Sequence, residues 1–99
     1  MARTGASTAV FRTVVTSISG ATNAGAVLNT RYIYFITGAS GVLTLPSAIG
    51  NTNVYTIKNT HTAAVALAAS PTVDGFASYS IQPNEAIEVA STGSAWRII

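Results

Sequence analysis

The chain has 99 residues, 8% of them charged, and a formal net charge of +2. With no cysteine and a single histidine, it excludes disulfides, thiolate metal sites and imidazole clusters, and without a run of lysines or arginines it excludes a polybasic nucleic-acid or membrane patch. The length suggests one domain burying roughly 64% of its unfolded surface, and 25 Ile, Val, Leu and Phe residues among the 99 argue against disorder.

Residues 1–8 are small, polar and without periodicity, and read as an arm. Arg12 interrupts the apolar part of the N-terminal stretch, so no secretory h-region forms, and no stretch approaches a membrane span. "VFRTVVT", 10–16, is rich in β-branched residues and reads as a strand; 19–25 is a loop; 26–28 is a candidate short strand. "RYIYFIT", 31–37, is the strongest strand. It places Tyr32, Tyr34 and Ile36 on one face and Ile33 and Phe35 on the other, which predicts burial on both faces.

"GASG", 38–41, reads as a tight turn. Leu43 and Leu45 share a face of the next strand, which is expected to stop at Pro46 for want of an N–H. "VYTIK" follows, with Tyr55 and Ile57 on one face. Then comes an alanine-rich strand with Val65 and Leu67 inward, an Asp74-Gly75 turn, "SYSIQ" with Tyr79 and Ile81 inward, "AIEVA" with Ile87 and Val89 inward, and "AWRII". About eight short strands with turn signals between them and no helical periodicity predict an all-β protein. The expected architecture is a small antiparallel β-sandwich, jelly-roll-like, with an extended N-terminal arm over 1–20 and the β-module over 21–99. No exact internal repeat is visible, and a β-solenoid is the alternative.

The charge content adds a second expectation. Soluble domains carry about 25% charged residues. A nearly uncharged surface tends to associate, so much of it is expected to be covered by copies of the chain or by a larger assembly. The alternative is a monomer kept in solution by its Ser and Thr hydroxyls.

The segments "GVLTLPSAIGNTNVYTIKNTHTAAVALAAS" and "VDGFASYSIQPNEAIEVASTGSAWRII" resemble a β-module of tailed-bacteriophage virion proteins. The carrying elements are Thr44-Leu45-Pro46, Tyr55–Asn59, Val73-Asp74-Gly75, Pro83-Asn84-Glu85 and Ser91–Ile99, and the resemblance covers about 26–99. It departs from the usual pattern at "HTAAVALAAS", which replaces a Gly-rich stretch, and at Val73, where Ile is usual. The resemblance implies a homotrimeric virion component. The short stretch before the module favours a capsid decoration protein, cement or short head fibre, that binds the major capsid protein or another virion protein. The alternative is a receptor-binding tail-fibre or tail-tip module that contacts a host surface glycan or protein through loops 46–53 and 70–77. Either implies a place in the virion, assembled in the host cytoplasm, with no nucleic-acid partner and no membrane insertion.

No catalytic, metal or cofactor residue is assigned, and the chain is expected not to be an enzyme. His61 lies in a turn without a second histidine. Asp74 precedes a glycine and suits turn capping. Glu85 and Glu88 are three apart, which on a strand separates them to opposite faces. "GASG" lacks the remaining residues of a phosphate loop. Candidate contact residues are Arg3, Phe11 and Arg12 on the arm, whose guanidinium groups can form bidentate bonds to acidic capsid side chains.

Overall fold

The computed structural model describes residues 12–38 and 41–99. Nine strands form there: β1 (Arg12–Ile18), β2 (Thr22–Asn23), β3 (Thr30–Ile36), β4 (Val42–Ser47), β5 (Val54–Asn59), β6 (Val65–Val73), β7 (Phe76–Ile81), β8 (Ala86–Ser91) and β9 (Trp96–Ile98). They follow the order β1-β3-β5-β8-β9-β6-β4-β2, with β7 added on β6, in an all-β sheet nearly closed into a barrel.

The antiparallel sandwich expected from the sequence is corrected. β1, β3 and β5 pair in parallel, and so do β2, β4 and β6. Among the described residues, antiparallel pairing is confined to β5–β8, β8–β9 and β6–β7. A parallel neighbour needs a long crossover connection, and here each crossover contains a strand of the other stack. The chain therefore climbs in coils, as a β-solenoid does, through its first three turns. Coil length is uneven: Arg12 pairs with Thr30, 18 positions on, and Arg31 with Val54, 23 positions on. This unevenness is why no repeat shows in the sequence.

Alternation decides what the coils enclose. Val14, Tyr32, Tyr55 and Val89 stand in one row across neighbouring strands, and Thr16, Tyr34, Ile57 and Ile87 in the next. From the other stack, Leu43, Leu45, Val65, Leu67 and Ile81 point inward, and all are buried. Tyr32 stacks on Tyr55 at 5.2 Å, and Tyr55 meets Trp96 edge-on at 5.3 Å. Such pairs contribute roughly 0.5–1.5 kcal/mol beyond their burial. Trp96 and Tyr55 are fully buried, as the alternation predicts, whereas Tyr79 is half-buried.

Several local expectations shift for physical reasons. Arg12–Ile18 is in register with β3 along seven residues, so the sheet already begins within the segment assigned to the arm. The short strand is Thr22–Asn23, and residues 24–29 form a corner loop. β4 runs through Pro46 because its register shifts between Thr44 and Ser47, a bulge where no N–H is required. The freed Pro46 carbonyl accepts the Trp96 indole N–H at 3.0 Å. Ile33 and Phe35 are only half-buried, because nothing among the described residues covers the outer face of β3.

Candidate functional site

Two corners of the coil are held by buried asparagines at the ends of β5. Asn53 accepts the Thr30 N–H at 2.9 Å and donates to the Val27 carbonyl at 2.8 Å and to the Tyr55 hydroxyl at 3.3 Å. Asn59 donates to the carbonyls of Ala63 and Ile81 and accepts the His61 N–H at 2.8 Å. Both side chains are sealed from water, so their polar atoms must be paired within the protein.

The tyrosine stack holds the Asn53 corner from below. Tyr34 and Tyr32 hydroxyls accept the N–H groups of Gly25 and Val27 at 2.8 and 3.1 Å, and the Tyr55 hydroxyl donates to the Gly25 carbonyl at 2.5 Å. A Cβ at Gly25 would run into the Tyr32 ring, so glycine is required by this close approach. The next corner, 48–53, turns at Gly50 with φ 70°. It is tied to the first by Thr52 to Asn29 at 3.4 Å and to the β8–β9 turn by Ser91 to the Ala48 carbonyl at 2.6 Å.

This rigid edge presents apolar side chains to water. Val27, Leu28 and Ile49 are 53%, 52% and 74% exposed. The start of the described chain lies at the same edge: the Arg12 N–H donates to the Asn29 carbonyl at 3.2 Å, and Arg12 is exposed. Arg3 and Phe11 lie outside the described residues. Val27 and Leu28 escape the sequence reading because 26–28 reads as a strand, whereas Ile49 lies in the loop 46–53 that the receptor-contact alternative names. Val27 and Leu28 sit on a corner pinned by five side-chain hydrogen bonds and Ile49 on one tied by Ser91 to Ala48 and by its own N–H to Ser47, a preorganised contact surface that loses little ordering entropy on binding.

The candidate chemical groups are dispersed. His61 sits in the opposite corner, its backbone tied to Asn59. Asp74 and Gly75 both have positive φ, 48° and 88°, as a two-residue hairpin turn between paired Val73 and Phe76 requires. Asp74 also accepts the Ile98 N–H at 3.2 Å and so secures β9. Glu85 caps the β7–β8 turn through Gln82 N–H and takes the Tyr79 hydroxyl at 2.8 Å, which raises the Tyr79 pKa above its usual value. Glu88 pairs instead with Arg31 at 2.6 Å, so the two glutamates have separate partners. Burial raises the Tyr55 pKa, against hydrogen bonds from Asn53 and Asn51 that lower it. Among the described residues no group of acidic, histidine or cysteine side chains could hold a metal ion, and no helix is long and apolar enough to cross a membrane.

Comparison with protein-family models, with curated proteins and with solved structures returns no match.

Proposed function

We propose that this protein is a structural component of a tailed-phage virion that decorates the head shell as a homotrimer. The observation that carries the reading is the edge where Val27, Leu28 and Ile49 lie exposed on a pinned backbone, beside Arg12. That edge faces the shell. Arg3 and Arg12 add guanidinium-to-carboxylate contacts, and Phe11 an apolar one, to the major capsid protein or another virion protein. The resemblance of 26–99 to virion β-modules and the 8% charge content point the same way. Function here is contact area: a decoration protein links neighbouring shell subunits and raises the cost of separating them.

The test is binding to undecorated heads by co-sedimentation. Leu28→Asp, Ile49→Asp and a chain lacking residues 1–11 are each expected to lose attachment while remaining folded by circular dichroism. Undiminished attachment of all three would refute the assignment. A receptor-contact role is favoured by one separate feature: of the loops 46–53 and 70–77, the first exposes Ile49 and the second Phe76, at 74% and 70%. It predicts that the isolated protein adsorbs to host cells and that Phe76→Ala weakens adsorption, while head binding is absent.

A further inference from the structure

The two stacks differ in charge. Every charged residue lying on a described strand belongs to the stack β1-β3-β5-β8-β9: Arg12, Arg31, Lys58, Glu88 and Arg97. Strands β2, β4, β6 and β7 contain no Asp, Glu, Lys, Arg or His. Their outward rows are Val42, Ala66 and Ser80, and Asn23, Thr44, Ala68 and Ser78, each row running across paired strands. Inward neighbours Val65 and Leu67 are buried, while Thr44, Ser78 and Ser80 are exposed and Ala66 and Ala68 half-exposed. Among the described residues, the strands of this broad side carry no charge, and the charged Asp74 lies at its end in the β6–β7 turn.

We propose that this side, the outer face of β4, β6 and β7, is where identical copies of the chain meet in the trimer. Charge matching selects the occupant. A charged partner side chain placed on this face would lose its water and find no counter-charge, which costs several kcal/mol per ion. Further copies that turn this same side toward a threefold axis bring no charge either, so no ion is stranded where the heterologous patches of neighbouring copies meet. The opposite face carries Arg31, Lys58 and Glu88, and Arg97 stands on neighbouring β9, so copies meeting there would have to strip these ions of water. The charges of that face are also satisfied within one chain, Arg31 by Glu88 at 2.6 Å and Lys58 by the Asn84 carbonyl at 2.7 Å, which suits a side turned to water. Small outward residues let the sheets of neighbouring copies approach closely around a threefold axis. This inference rests on the homotrimer of the proposed function but not on attachment to a shell.

The experiment is sedimentation velocity on the full chain. Wild type is expected to run at three times the mass of one chain. Ala68→Arg and Ser78→Arg, one half-exposed and one exposed, are each expected to drop to the single-chain mass at the same concentration, with unchanged circular dichroism. Ile33→Lys, on the opposite face, is expected to remain trimeric. Trimers surviving both arginine substitutions, or lost with Ile33→Lys instead, would overturn the assignment of the face. A wild type at single-chain mass at every concentration would overturn the homotrimer itself, and head co-sedimentation would then report separately on shell binding. Should Ala68→Arg fail to fold, Ser78→Arg decides, because its side chain starts in water.

Discussion

Replacing Asn53 by alanine tests whether the corner is held as described. The substitution removes the acceptor of the buried Thr30 N–H and the donor to the Val27 carbonyl. Thr30 is fully buried, so its N–H becomes an orphan at roughly 1–3 kcal/mol. Val27 is half in water, so its carbonyl is rehydrated and only the net bond, about 1 kcal/mol, is lost. The expected destabilisation is therefore about 2–4 kcal/mol. For a chain of this size that lowers Tm by roughly 10–25 °C. The assay is urea unfolding at fixed protein concentration, because the proposed trimer would make stability depend on concentration. The midpoint should fall with little change in slope, and Thr52→Ala, which removes only an exposed 3.4 Å bond, should stay within about 0.5 kcal/mol of wild type. An Asn53→Ala midpoint indistinguishable from wild type would refute the claim that this side chain holds the corner.

Alkaline pH should act through the tyrosines. Tyr55 and Tyr79 have folded pKa values raised above 10.0, so the folded state keeps its proton longer than the unfolded chain. Their contribution is complete below the unfolded value and is lost as pH rises through the folded one. Absorbance titration at 295 nm should show phenolate appearing late and together with unfolding, and Tyr55→Phe should reduce that coupling. Trp96→Ala should cost about 3–5 kcal/mol by opening the core, and Trp96→Phe about 1 kcal/mol or more through the Pro46 carbonyl bond; guanidinium unfolding measures both. Glu88→Gln should change stability by no more than about 1 kcal/mol, because the Arg31–Glu88 pair is 47% and 34% exposed, and the difference should shrink in high salt.

Much of the fold is legible along the chain, and the candidate surface is not. The alternation of 31–37 locates a strand and its inward Tyr32, Tyr34 and Ile36; the Asp74-Gly75 pair locates a hairpin; Val65, Leu67, Val89 and Trp96 are core where the period of two places them. Pro46 and Ile33 show the limit. A proline stops a ladder only if its missing N–H would have been used, and a bulge removes that need. An apolar residue on a strand is buried only if another layer arrives, and none among the described residues reaches Ile33. Leu28 looks like an ordinary loop residue until the hydrogen bonds of Asn53 and the tyrosines show that its corner is fixed, and Ile49 until Ser47 and Ser91 are seen to tie its own corner.

Sequence by itself determined that this is an all-β protein, which side chains of the longer strands point inward, and that a turn falls at Asp74-Gly75, because the pleat alternates side chains strictly and positive φ selects Gly, Asn and Asp. Strand direction and stacking were left to the tertiary structure. The inward alternation of Tyr32 or Tyr55 is the same whether the neighbouring strand runs up or down, so parallel coils and an antiparallel sandwich share one local pattern. Only the path of the whole chain chooses between them, and among the described strands that path gathers every charge onto one side of the sheet.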